Sequence, residues 1–176
     1  MVVLTEEIDI PAPFEELSSW ADNFEEEFVK WSPYHLECQL LDGGINEGNR
    51  VRFYEVVMGL DYDVTGKITH AARDENHFIF QFESDKKTAV ITFEGTRTSE
   101  GCRFRHTEAF GMQTPVIGAI INFLIFKVIY RKKANWQLIR DDMILDNKYL
   151  FDILTEGKYP NRIPLEVLKN PDKQLM

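Results

Sequence analysis

With 176 residues, the chain is long enough for one domain with a substantial core, burying roughly 70% of its unfolded surface. A formal net charge of -9, from 29 Asp and Glu against 20 Lys and Arg, argues against phosphate-backbone binding, so no nucleic-acid partner is expected. The two cysteines, Cys38 and Cys102, have neither C-x-x-C nor zinc-ribbon spacing, and the first residues lack a basic-then-apolar leader pattern, so a reduced, cytoplasmic setting is expected.

Val2 to Ile10 reads as a strand. Pro11-Ala12-Pro13 closes it and suits the first turn of a helix, where a missing N–H costs nothing. Phe14 to Trp20 and Phe24 to Trp31 follow as two short helices broken near Asp22-Asn23, and Pro33 ends the second. From His35 the period changes to two, with Leu36, Cys38 and Leu40 alternating with polar residues up to the Gly43-Gly44 turn. Arg50 to Met58 sets Val51, Phe53, Glu55 and Val57 on one face, so Glu55 points with the apolar set. Leu60 to His70 places Leu60, Tyr62, Val64, Ile68 and His70 together. Phe78, Phe80 and Phe82 share a face of the next strand, and Ala89, Ile91 and Phe93 share one in the strand after it. In the last strand Cys102, Phe104, His106, Glu108 and Phe110 lie opposite Arg103, Arg105 and Thr107, which makes His106 and Glu108 inward candidates.

Gln113 to Glu156 carries the one sustained helical pattern. Its first part, the apolar run Pro115 to Ile129, contains Asn122 and Lys127 and is shorter than the roughly 18 residues of a membrane span. It reads as the buried start of a helix; because Arg131, Lys132 and Lys133 follow, contact of 115–133 with a membrane surface is the alternative. From Asn135 to Leu154, placed at about 100° per residue, Leu138, Ile139, Met143, Leu145, Tyr149, Leu150, Ile153 and Leu154 gather on one face. Gln137, Arg140, Asp141, Asn147, Lys148 and Asp152 gather opposite. Asn135, Asp142 and Asp146 break the rule by falling within the apolar arc. A carboxylate aimed at a core is costly unless it is paired, hydrogen-bonded, metal-bound or facing a wet cavity. Two of them one turn apart therefore point to a lined cavity, the alternative being a helix edge where each pairs with an arginine. After Gly157, Pro160, Pro164 and Pro171 mark a tail, 157–176, expected to pack on the surface of a 1–156 domain with one short helix near Leu165 to Leu168.

A strand, two short helices, about six further antiparallel strands and a long C-terminal helix follow the order of the helix-grip fold, and over residues 2 to 156 the chain resembles the SRPBCC superfamily. That group contains START lipid-transfer domains, Bet v 1-like proteins, polyketide cyclases and ring-hydroxylase catalytic domains. Ile8-Asp9-Ile10-Pro11-Ala12-Pro13 running into the first helix, the Gly111 to Gly118 entry into the last helix and the strand count between them carry the resemblance. It implies an α+β domain in which a curved antiparallel sheet of about seven strands wraps the long helix and leaves a cavity between them. Trp31-Ser32-Pro33-Tyr34-His35 and Glu55 also look like two elements of the zinc-dependent diacetylphloroglucinol hydrolases. The His-x-x-x-Glu pair of that family's last helix is replaced here by Asp142-x-x-x-Asp146. Arg140-Asp141-Asp142-Met143-Ile144-Leu145 resembles the helix segment of ring-hydroxylating oxygenases, but His-x(4)-His and a Rieske motif are missing, which excludes a complete oxygenase.

In such a fold His35, Glu55, His106, Glu108 and Asp142 converge from separate elements on one cavity. Mixed imidazole and carboxylate ligands suit Zn or Fe, and a metal there would activate a water or polarise a carbonyl, with Glu108 and Asp142 the candidate catalytic carboxylates. The alternative is a metal-free polar cluster that orients a ligand. Phe53, Glu55, His70, Phe93, Phe104, His106 and Asp146 are expected to touch that ligand. The functional expectation is a cavity for a hydrophobic small molecule of aromatic, polyketide-like or isoprenoid-like character, with a metal-dependent hydrolase or lyase on such a molecule as the alternative.

Overall fold

Strict alternation of side chains decides the sheet. In the computed structural model, which describes residues 2–57, 60–111 and 133–170, the strands are β1 (Val2–Ile10), β2 (His35–Leu40), β3 (Arg50–Val57), β4 (Leu60–Arg73), β5 (His77–Ser84), β6 (Ala89–Thr98) and β7 (Gly101–Phe110). They form one 7-stranded sheet in the order β1-β7-β6-β5-β4-β3-β2, antiparallel at every pairing. β2 to β7 run as a meander, and β1 returns to the far edge beside β7. On the outer face of that last pairing Asp9 stands opposite Arg103 and Glu7 opposite Arg105, with ion pairs of 2.7 and 3.1 Å. Such exposed pairs contribute at most about 1 kcal/mol each. Their place is in the register, since a one-residue slip would turn every inward residue of β1 to solvent.

Two bulges, between His35 and Glu37 and between Ile68 and His70, reset the alternation. In β2 the bulge lets both His35 and Cys38 be buried. In β4 it passes the inward position from Ile68 to Ala71, which packs on the core, and turns His70 outward. The His70 side chain is 50% exposed, with Nδ1 2.9 Å from Glu47 Oε1. The expectation of a cavity-facing His70 is thereby corrected: alternation was carried through a position where the strand gains a residue.

β4 and β5 approach closely at Gly66. A Cβ there would lie 2.1 Å from the Glu83 carbonyl oxygen and 2.6 Å from the Phe82 ring, so a side chain must part the strands. Gly66→Ala is expected to lower stability by about 1–3 kcal/mol, read from the urea midpoint; an unchanged midpoint would show that the strands separate freely.

Helices α1 (Phe14–Asp22) and α2 (Phe24–Trp31) fill the concave side with rings. Trp20, Phe24, Phe28 and Trp31 join Phe53, Phe80, Phe82, Phe93 and Phe104 in one buried core, many edge to face, as for Trp20 and Trp31 at 5.1 Å and 87°. Helix α3 (Lys133–Glu156) lies over β1 and β7 and against α2. The Trp31 indole N–H donates to the Asp146 carbonyl oxygen at 2.7 Å, Trp136 meets Phe110 at 5.7 Å, and Arg140 pairs with Glu6. Met143, Asp146, Asn147, Leu150 and Ile153 are buried, whereas Leu138 is 46% exposed. The buried arc is thus rotated from the apolar one toward Met143 and Asn147, because the surfaces of β1, β7 and α2 decide which side is covered. The expected start of this helix, 113–132, and the apolar run within it lie outside the described residues; among those described, no helix is long and apolar enough to cross a membrane.

The tail crosses back over α2 and carries α4 (Leu165–Leu168), whose Leu168 is buried. Arg162 donates to three carbonyls, Val29 at 2.6 Å, Ser32 at 3.0 Å and His35 at 2.8 Å. These include acceptors left open where α2 ends, so one rigid guanidinium ties down the turn that presents His35.

Candidate functional site

Between the sheet, α2 and α3 lies a cavity of about 130 Å³. β3 contributes Phe53 and Glu55, β4 Tyr62 and Val64, β5 Phe82, β6 Ala89, Ile91 and Phe93, and β7 His106, Glu108 and Phe110. Phe28 and Trp31 of α2, His35 of β2 and Ile139, Asp142 and Asp146 of α3 are the other described residues of the wall. The α3 residues lie three and four apart, one stripe of the helix, so the two aspartates that break its apolar pattern face the cavity.

His35 is 3% exposed, and its ring lies flat on Phe28 at 4.0 Å. Its Nδ1 is 2.9 Å from the Phe28 carbonyl oxygen; a carbonyl only accepts, so Nδ1 carries a proton. Nε2 therefore faces the cavity, 3.4 Å from Asp146 Oδ2 and 3.6 Å from Glu55 Oε2. Burial disfavours the imidazolium, but the Asp146 and Glu55 carboxylates outweigh it and hold His35 up at about 9. Burial, with the Glu108 and Asp146 carboxylates adding to it against the pull of His35, pushes the Glu55 carboxyl up to about 7. Burial and then the Asp146 carboxylate raise Asp142 as well. Among the described residues the cluster has more carboxyl groups than cations to serve them, which holds Glu55 and Asp142 above the ordinary carboxyl range.

The second imidazole is placed differently. His106 is 4% exposed, stacked beside Phe93 at 4.7 Å. Nε2 stands 3.1 Å from Glu108 Oε1, yet neither ring nitrogen makes an aligned hydrogen bond among the described residues, and neither does Asp146 Oδ1. Buried polar groups are seldom left so, and both residues belong to the cavity wall.

Of the residues singled out from sequence, His35, Phe53, Glu55, Phe93, His106, Glu108, Asp142 and Asp146 are brought together in this wall. Phe104 is not. It is fully buried behind the wall, edge-on to Trp20 at 5.6 Å and Trp31 at 5.8 Å, so it supports the cavity without lining it. Phase had already set Val64, Phe82, Ile91 and Phe110 inward, but depth along each strand decides which inward residues border space. Phe28 and Trp31 escaped because α2 is too short for a face to be read from its pattern. Among the described residues no group of three or more His, Cys, Asp or Glu side chains is placed to hold a metal ion.

No family model matches the sequence, and no curated protein does. Solved structures match in fold. A START superfamily protein from Mycobacterium smegmatis shares 13% identity at a TM-score of 0.59 over 89% of this chain and 99% of its own. The crystal structure of Ara h 8.0201 gives 14%, 0.57, 87% and 97%. A polyketide-cyclase-like protein from Corynebacterium glutamicum gives 15%, 0.52, 90% and 97%. The chain has the helix-grip fold of START and Bet v 1-like proteins, the SRPBCC fold.

Proposed function

We propose that the protein binds a hydrophobic small molecule inside the cavity, its apolar body against Phe53, Phe82 and Phe93 and its polar group at the His35, Glu55, Asp146 and His106 end. The observation that carries this is a ring-lined space whose wall includes His106 and Asp146, residues with buried polar atoms, both His106 nitrogens and Asp146 Oδ1, that make no aligned hydrogen bond among the described residues. Its 130 Å³ is close to the roughly 150 Å³ of an engineered apolar cavity that admits benzene, so a single ring or a short isoprenoid-like segment is the fitting size. The fold supports the reading, since it is shared with a START superfamily protein and the chain's resemblance is to a group that includes START lipid-transfer domains. Mass spectrometry of gently extracted protein is expected to show a non-covalent small-molecule ligand. Ile91→Trp, which fills the space while every polar residue of the wall is kept, is expected to prevent saturable binding of phenethyl alcohol. Unchanged binding in that variant would place the ligand elsewhere, and stoichiometric zinc or iron in the purified protein would favour a metal-dependent hydrolase or lyase instead.

A further inference from the structure

We propose, building on that reading, that the ligand is a cation: an aromatic or isoprenoid-like amine bound in its protonated form. Four carboxyl groups, Glu55, Glu108, Asp142 and Asp146, face one small cavity, and no lysine or arginine is among the described residues that line it. The imidazolium of His35 is already committed, Nδ1 to the Phe28 carbonyl and Nε2 toward Asp146 and Glu55. Among the described residues of the wall, carboxyl oxygens outnumber the N–H groups that could serve them. Asp146 Oδ1 is buried and accepts no hydrogen bond among the described residues, and a carboxylate accepts only. His106, with no aligned hydrogen bond on either nitrogen, offers at least one further partner to an arriving polar group.

A protonated amine supplies what is missing: up to three N–H donors, which an alcohol cannot match, and a positive charge in a place that burial has made unfavourable for unpaired carboxylates. The aromatic rings in the wall, Trp31 and Phe53 among them, suit a cation as well. An anionic ligand would enter against four carboxyl groups and a neutral one would leave the deficit unfilled.

The test is titration calorimetry of the full chain at neutral pH with three ligands of one shape: phenethylamine, phenethyl alcohol and hydrocinnamate. Phenethylamine is expected to bind about tenfold or more tightly than the alcohol, the worth of one charge-assisted hydrogen bond, and hydrocinnamate not to bind. Asp142→Asn and Glu55→Gln, on separate elements so that one serves if the other fails to fold, are each expected to remove most of that preference while the alcohol's affinity stays within about twofold. Alcohol binding as tight as the amine, or variants that keep the full preference, would overturn the amine inference and leave the hydrophobic-ligand reading standing. Failure of all three ligands to bind would remove both.

Discussion

Trp31→Ala is expected to lower the free energy of unfolding by about 3–5 kcal/mol, the usual cost of emptying a buried aromatic site. That is a large share of the roughly 5–15 kcal/mol that holds a domain together. Trp31 is fully buried and meets Trp20 at 5.1 Å, Phe93 at 5.7 Å, Phe104 at 5.8 Å and His106 at 6.0 Å. Its indole N–H is also the polar link from α2 to the Asp146 carbonyl of α3. Removing it opens the cavity floor and frees the helix that carries both cavity aspartates. Trp31→Phe keeps most of the volume and loses the N–H, so it is expected to cost only about 1 kcal/mol. Urea unfolding of the three proteins measures both steps; a loss below about 1 kcal/mol for the alanine variant would show that the site collapses freely and that Trp31 does not organise it.

His35→Asn is expected to cost about 3–5 kcal/mol at mildly acidic pH, because it leaves a buried carboxylate without its cation while keeping a donor for the Phe28 carbonyl. The pH dependence separates charge from packing. His35 is held at about 9 against an ordinary 6.5, so the folded state binds its proton more tightly than the unfolded chain does. The stability this provides, about 3 kcal/mol, is fully present below pH 6.5 and is lost as pH rises through 9. The groups facing His35 are Asp142 and Asp146 on α3, Glu55 on β3, and His106 and Glu108 on β7. Raised carboxyl groups act with the same sign at lower pH: Glu55, carried from 4.5 to about 7, makes the fold less stable as pH rises through that interval. Wild type should therefore weaken throughout from mildly acidic to alkaline pH, and the gap between wild type and His35→Asn should narrow across the alkaline part of that range. A gap independent of pH would mean that His35 acts by packing alone.

Much of the cavity wall was legible in the sequence, because a strand's period of two is a property of the backbone. Glu55 in phase with Phe53, and His106 and Glu108 in phase with Phe104, could point only one way once Phe78, Phe80 and Phe82 had defined an apolar side. The two aspartates of α3 stood out for the complementary reason, that a carboxylate in an apolar arc is too costly to be incidental. Where phase failed, the strand had changed its count. Nothing in the side chains from Ile68 to His70 marks an inserted residue, and the insertion alone sends His70 to Glu47 instead of to the cavity.

The sequence by itself determined the order of elements, the inward faces of the strands and the helix, and the presence of acidic and imidazole groups on them, since local periodicity and the cost of buried charge are both written along the chain. Only the tertiary structure decided which of those groups meet. It paired His35 with Asp146 and Glu55, and His106 with Glu108. It set Phe104 behind the wall, exposed Leu138 and buried Asn147. Those outcomes depend on the depth of each residue along a twisted sheet, on the rotation of α3 over β1, β7 and α2 and on the positions of two bulges, which arise from packing between segments far apart in the chain.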